Sequence, residues 1–340
     1  MILAEHYFKG DFKQYMLYFI PAWYQQNKWS EHEQIWYERR MHTEFDDTVK
    51  QIQLFHRSKA CRYQIILLGY APNFRHFLHR QSVYRAPYWS CFDAIQEVKR
   101  RRAAALSFHQ LKWPDGIEFR YTLFVVTAVL EGQKYAQIDF GEDGNPIQVS
   151  LYKDDKICRR NLYDDRGFLS ATILYENEQP VHCDYLMENG VWKLRYFYQD
   201  GHVEINSKYP AYLLRDQGRE EERRFSRLRY DDISQVICEV LLFYLQMVEG
   251  EDIFCVAMHE QHTRLLEKVL RNKKLILSFF SGRSLDTGSH AVRKMVKEAD
   301  YIVADSGNTL NKLKKVWKGF MKNSMAIPPY DSREDSGLSL

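Results

Sequence analysis

Residues 141–206, GEDGNPIQVSLYKDDKICRRNLYDDRGFLSATILYENEQPVHCDYLMENGVWKLRYFYQDGHVEIN, are the stretch whose reading decides the fold. Turn signals recur there roughly every eleven residues, with alternating apolar and polar positions between them, the spacing of short antiparallel strands. Asp143-Gly144, Asn189-Gly190 and Asp200-Gly201 suit type I′ hairpin turns, because glycine takes positive φ without a steric cost. Asp154-Asp155, Asp164 to Gly167 and Glu176-Asn177 punctuate the intervals. Ile147, Val149 and Leu151 alternate with Gln148 and Ser150, while Val181, Cys183, Tyr185 and Met187 stand against His182, Asp184 and Glu188. Trp192, Leu194, Tyr196 and Tyr198 form a third row. This pattern predicts a meander with one face buried and the other wet.

The flanks read differently. Upstream, Leu17 to Trp23 and Tyr63 to Leu68 are continuous apolar runs, as in strands buried on both faces of a parallel sheet. Helical spacing of Val49, Ile52 and Phe55 lies between them, preceded by the acidic first turn of Phe45-Asp46-Asp47-Thr48. A helical pattern also holds Ile35, Trp36 and Tyr37, a further one carries Phe74, Phe77 and Leu78, and another runs from Tyr88 to Val98. Alternation begins at about Ala104; Phe119 to Val126 and Tyr135 to Phe140 join the meander, for about eight strands. The charged run Arg215 to Arg229 reads as a surface return.

After Asp231 strands and helices alternate again: a helix to Val248, strands at Ile253 to Ala257, Leu275 to Phe279 and Tyr301 to Ala304, helices between them, and a last short strand at Ser324 to Ile327. The expected fold is α/β, a doubly wound Rossmann-like domain interrupted by an antiparallel β-meander insertion. Its parts are an N-terminal extension (1–15), the first Rossmann-like part (16–103), the inserted sheet (104–230), the second Rossmann-like part (231–330) and a polar tail (331–340). Met16, which opens the first apolar run, reads as the true start.

The bulk numbers narrow the function. The 340 residues are 45% hydrophobic and 27% charged, ordinary for a globular protein, and a net charge of +3 gives no basic footprint for nucleic acid. The 23 tyrosines and 20 phenylalanines suit strand faces and core. Six cysteines without a CxxC pair read as reduced, partly buried thiols of a cytosolic protein. The apolar run Val236 to Val248 is too short for a bilayer and carries Glu239 and Gln246.

In an open α/β sheet ligands bind at the carboxyl ends of the strands. Pro21-Ala22-Trp23-Tyr24 follows the first strand and offers no glycine for a phosphate. Ser281-Gly282-Arg283-Ser284 matches neither dinucleotide nor P-loop motifs, so Arg283 is either a phosphate contact or part of an ordinary strand exit. His259 and His262 are three apart, where a zincin helix needs four, and read as a polar helix start. Asp46-Asp47 and Asp164-Asp165 are adjacent, which suits capping and turns. Asp305-Ser306 after Tyr301 to Ala304 resembles the end of the first Rossmann-like domain of GT-B glycosyltransferases. No catalytic residue, cofactor site or metal site emerges.

Several segments together resemble one family, the first accessory secretory protein of the accessory Sec system of Gram-positive bacteria. They are Tyr18-Phe19-Ile20-Pro21-Ala22-Trp23, Phe45-Asp46-Asp47-Thr48 with Gln51-Ile52, Leu78-His79-Arg80-Gln81, Phe92-Asp93 with Ile95-Gln96, and Asp164-Asp165-Arg166-Gly167-Phe168. The resemblance spans about residues 16–333. It implies the first half of a GT-B fold with an extended sheet inserted, and a non-enzymatic role in exporting glycosylated serine-rich repeat adhesins. The implied partners are the second and third accessory secretory proteins, the accessory Sec motor ATPase and translocon, and the adhesin; the implied place is the cytoplasm, peripheral at the membrane through that machinery. Arg283, Asp305 and Ser306 are the candidate partner or glycan contacts. The alternative is a GT-B glycosyltransferase, or its activating subunit, acting on a serine-rich polypeptide. The family continues beyond the last residues here, and a second Rossmann-like domain is expected to be missing.

Overall fold

The computed structural model describes residues 16–24, 28–30, 46–58, 62–248, 252–283, 285–317 and 323–327. The expected extension (1–15), the polar tail and the helical pattern around Trp36 lie outside the described residues.

Seven parallel strands form one sheet: β1 (Met16–Ile20), β2 (Arg62–Leu67), β3 (Tyr88–Ser90), β16 (Ile253–Ala257), β17 (Lys274–Phe279), β18 (Tyr301–Ala304) and β19 (Ser324–Ala326), in the order β19-β18-β17-β16-β1-β2-β3. Leu17 pairs with both Tyr63 and Ile253, so strands from either side of the inserted stretch share β1. Their apolar runs are buried because helices cover both faces. On one side lies α1 (Asp47–Ser58) with Val49 and Ile52, together with α2 (Phe74–Arg80). On the other lie α3 (Cys91–Ile95), α4 (Ile233–Met247), α5 (Glu260–Val269), α6 (His290–Glu298) and α7 (Gly307–Val316). Side chains within α4 buried this way, such as Val236, Val240 and Leu241, are worth about 1.5–3 kcal/mol each.

Between the two flanks runs a ten-stranded antiparallel sheet: β4 (Glu118–Tyr121), β5 (Val125–Leu130), β6 (Gln133–Phe140), β7 (Pro146–Lys153), β8 (Lys156–Asp164), β9 (Phe168–Glu176), β10 (Gln179–Leu186), β11 (Trp192–Phe197), β12 (Val203–Ile205) and β15 (Arg229–Tyr230). β13 (Ala211–Asp216) and β14 (Arg219–Arg224) form a separate hairpin. The expected surface return is therefore half of this hairpin, whose Tyr212 and Leu214 are buried. Its charged strand hid it, since only β13 faces the core. Likewise the expected helix at Tyr88 to Val98 is the short strand β3 followed by a single turn-and-a-half, α3, capped by the Ser90 hydroxyl. Residues 104–117 carry a short 3-10 turn at Phe108–Gln110 in place of alternation.

The turns correct the sequence reading. Gly144, Gly190 and Gly201 have positive φ, but Asp143, Asn189 and Asp200 do not. They close longer loops that end on a left-handed glycine. The two-residue hairpins, with both central residues at positive φ, are Glu131-Gly132, Asp154-Asp155, Asn177-Glu178 and Gln217-Gly218. Loop length selected the turn type over residue preference.

The sheet also buries both faces, over different halves. Cross-strand pairing runs Gln137, Ser150, Arg160, Ile173, Cys183, Tyr196 and Val203 along one face. That row is polar at β6 and β7 and apolar from β9 onward, where it packs on the α/β core. The opposite row, Ala136, Leu151 and Arg159 at one level and Val149, Asn161, Thr172, Asp184 and Arg195 at another, becomes polar in the same direction. Its apolar half is covered by Leu106, Phe108, Leu111 and Trp113.

One joint fixes the sheet against the α/β unit. At the β8–β9 turn, Arg166 donates to both carboxylate oxygens of Asp164 at 2.6 and 2.7 Å and to those of Asp93 at 2.7 and 2.8 Å. Asp165 accepts from the amides of Arg75 and His76 at the start of α2, at 2.8 and 3.1 Å. Gly167 sits at φ +85°, and a Cβ there would meet the Ala104 carbonyl oxygen at 2.3 Å. Only glycine satisfies both conditions.

Candidate functional site

The switch point of the parallel sheet falls between β1 and β16, where strand order reverses. A buried side-chain cluster and an open groove lie near these carboxyl ends. The cluster, beside α1, centres on Arg283. Its Nη2 donates to Asp46 at 3.2 Å and also pairs with Asp47. Asp46 additionally caps α1, accepting from the amides of Thr48 at 2.8 Å and Val49 at 3.1 Å, and receives the Trp23 indole at 3.1 Å. Asp47 accepts from Ser278, which in turn receives the Gln51 amide at 2.9 Å. Asp305 accepts from the Ser281 amide and hydroxyl at 2.8 and 2.5 Å. Ser306 caps α7 through the Thr309 amide at 3.1 Å.

Of the three residues singled out from sequence, Arg283 and Asp305 thus share one neighbourhood and Ser306 adjoins it. The Arg283 side chain is only 7% exposed, and its Nε and Nη1 have no hydrogen-bond partner. Burial pulls the guanidinium below its ordinary pKa, opposed by Asp46. Paired with Asp46 and Asp47 and facing Asp305, this guanidinium is already engaged and is not a free cation for a diphosphate.

The groove has a volume of about 1590 Å³ and lies between the inserted sheet and the helices α4 and α5. Gln148, Arg160, Leu162, Ile173, Cys183, Tyr185, Tyr196 and Tyr198 form its floor. Gln235, Glu239, Leu242 and Phe243 of α4, with Glu260, Arg264 and Lys268 of α5, form the opposite wall. Lys28, Trp29 and Ser30 close the end nearest the switch point. Burial pushes the hydroxyls of Tyr185 and Tyr198 well above the usual phenol range, so they are neutral donors at physiological pH. Glu239 accepts from the Ser226 amide at 2.8 Å, the Ser226 hydroxyl at 2.5 Å and the Tyr230 hydroxyl at 2.8 Å. The aromatic row thus has two uses: Leu194 is core, whereas Tyr196 and Tyr198 face the groove. The sequence pattern assigned this apolar face to burial. It missed the groove because alternation shows that a face is apolar, not whether its covering is continuous.

The two histidines have separate structural tasks. His259 caps α5, its Nδ1 accepting from the Gln261 amide at 3.2 Å. His262 is fully buried, with Nδ1 2.7 Å from the Ala257 carbonyl, against Tyr24 and Trp29. Burial holds its pKa down at about 3, so it is neutral, and Nδ1 donates. Among the described residues no group of three or more His, Cys, Asp or Glu side chains could hold a metal, and no helix is long and apolar enough to cross a membrane.

Comparison with known proteins agrees with this architecture. The family model for the accessory Sec system protein, accessory secretory protein 1, matches residues 16–340. A curated relative of that description from Streptococcus gordonii is 32% identical over 330 residues, covering 95% of this chain and 60% of its own length. The chain therefore spans about 60% of the curated relatives it matches. Among solved structures, the Glycosylation Associate Protein (Gap123) complex from Streptococcus agalactiae superposes with a TM-score of 0.82 at 32% identity, over 94% of this chain and 61% of that one. The structure of accessory secretory proteins 1, 2 and 3 in Streptococcus pneumoniae gives 0.79 at 28% identity, over 94% and 63%. The pneumococcal O-GlcNAc transferase GtfA, in complex with UDP and GlcNAc, gives 0.61 at 8% identity over 93% and 60%, a likeness of fold alone. The expected GT-B architecture with its inserted sheet is therefore the one observed, and by the family match over residues 16–340 the chain belongs to the accessory secretory protein 1 family of the accessory Sec system.

Proposed function

We propose that this chain acts as a non-enzymatic component of the accessory Sec export system, in which the groove between the inserted sheet and α4 and α5 receives the exported serine-rich, glycosylated polypeptide. The observation that carries the reading is the contrast between the Arg283 cluster and the groove. Where a donor diphosphate would need a free cation, Arg283 is buried and paired with Asp46 and Asp47. The groove is open and lined with tyrosines whose rings and hydroxyls suit sugar and peptide surfaces. Arg283, Asp305 and Ser306 enter as internal bracing of the strand exits.

Partners follow from the family. The solved complexes of relatives contain accessory secretory proteins 1, 2 and 3, which supports the second and third as partners here. The accessory Sec motor ATPase, the translocon and the adhesin complete the proposed assembly, with the chain in the cytoplasm and peripheral at the membrane. The same reading divides the described chain near residues 103/104 and 230/231, and limited proteolysis is expected to cut there first.

Titration with a nucleotide sugar and with a glycosylated serine-rich peptide separates this proposal from a glycosyltransferase. The expected result is saturable binding of the peptide and none of the nucleotide sugar. Sugar transfer to the peptide would overturn it.

A further inference from the structure

The groove contains as many acidic as basic residues, yet their situations differ. Asp232 is engaged in capping α4 by accepting from the Ser234 amide at 2.6 Å, Glu239 accepts three hydrogen bonds, and Asp200 pairs with His202. The five cations lining the groove are Lys28, Arg160, Arg227, Arg264 and Lys268. None of them has a carboxylate within 4.0 Å among the described residues. Four are exposed side chains around the rim and helix wall, where water solvates an unpaired charge at little cost.

Arg160 is different. It stands on β8 in the floor, on the same face as Ile173 and Cys183, and is only partly exposed. Its guanidinium lies over the Tyr175 ring, 5.5 Å from the centroid, and its Nε is buried with no hydrogen-bond partner. A guanidinium braced over a ring, with no carboxylate beside it among the described residues, is preorganised for a planar acceptor that approaches its terminal nitrogens.

Resting on the groove's proposed role, we infer that its ligand carries carboxylate groups and that Arg160 on its Tyr175 support reads them, with Arg264 and Lys268 on the helix wall supplying the surrounding positive field. The carboxylates come either from acidic side chains of the polypeptide or from acidic substituents on its sugars; both present the same acceptor.

Fluorescence anisotropy with the full chain tests this, using three serine-rich glycopeptides. One has neutral sugars and neutral spacer residues, one has the spacers replaced by Asp and Glu, and one has carboxylate-bearing sugars on neutral spacers. At least one acidic probe is expected to bind about tenfold more tightly than the neutral one at low salt, as one charge-assisted contact predicts. The advantage should shrink at about 0.5 M salt for the rim contribution. Arg160→Gln should reduce it below about threefold. Arg264→Gln with Lys268→Gln, both exposed and outside the core, should lower it partially and provides a variant whose folding is not at issue. Whichever acidic probe gains identifies the source. Equal affinity of all three probes for the unmodified chain overturns the inference and leaves the groove's role standing, as does an Arg160→Gln variant that keeps the full preference. Failure of every probe to bind sinks the groove's role and this inference with it.

Discussion

Removing Arg166 should be the most damaging single change at the joint between the inserted sheet and the α/β unit. Its side chain is 8% exposed and makes four charged hydrogen bonds, two to Asp164 and two to Asp93, which are 4% and 28% exposed. Arg166→Ala leaves at least the Asp164 carboxylate buried without its cation, a change that costs about 3–5 kcal/mol. For a chain of 340 residues that lowers the melting temperature by roughly 4–7 °C. The deficit should depend on pH. Burial raises the Asp164 pKa even with Arg166 present, so ionisation of Asp164 already opposes folding as pH rises above the unfolded carboxylate value. Without the guanidinium that pKa rises further, so the difference from the unmodified chain grows as pH rises and shrinks as pH falls toward the unfolded carboxylate value of about 3.9. Urea unfolding at pH 7 and pH 5 measures it. Hydrogen exchange at Ala104, whose amide donates to the Arg166 carbonyl at 3.1 Å, reports local loosening. Replacing all three groups by apolar residues, Arg166→Met with Asp164→Leu and Asp93→Leu, should cost less than the single change. A single-variant loss below about 1 kcal/mol, or one that grows as pH falls, would refute the reasoning.

Three further outcomes are expected. Glu97→Gln strands the fully buried Lys193, costing about 2 kcal/mol because Glu97 itself is partly exposed. Burial lowers the Lys193 pKa and Glu97 opposes that shift, so removing Glu97 lowers it further; the variant should recover stability relative to the unmodified chain as pH rises toward the unfolded lysine value of about 10.4, in thermal melts. Asp154→Asn with Asp155→Gly places the preferred residues in a two-residue turn whose φ angles are +51° and +58°, and should raise stability by about 1 kcal/mol; no gain in urea midpoint would count against the turn assignment. Ser306→Ala removes the cap of α7 and should cost about 1 kcal/mol, detectable as faster exchange in the first turn of that helix, while peptide binding in the groove stays unchanged.

Much of the architecture was legible. Continuous apolar runs marked β1, β2, β16, β17 and β18 as doubly buried strands, and period-two alternation marked the strands between Pro146 and Ile205. The hairpin β13–β14 escaped because Arg219–Arg224 is entirely charged, and β3 escaped because three residues are too few to show a period. Arg283 was legible as a residue at a strand exit, but its pairing with Asp46 and Asp47 was not. Those groups lie 237 and 236 positions away and meet only when β17 packs under the start of α1.

Local periodicity and turn chemistry act over a few residues, so the sequence by itself determined most of the strands and helices and that one antiparallel block separates two halves of a parallel sheet. Tertiary structure decided what each face meets. Pairing registers carry a single face across ten strands, and that face is polar beside β6, open at Arg160 and Tyr198, and sealed against α4 farther along. Alternation is identical in all three places, because a strand's period records only that its two sides differ; the groove exists where the helices fail to reach the sheet.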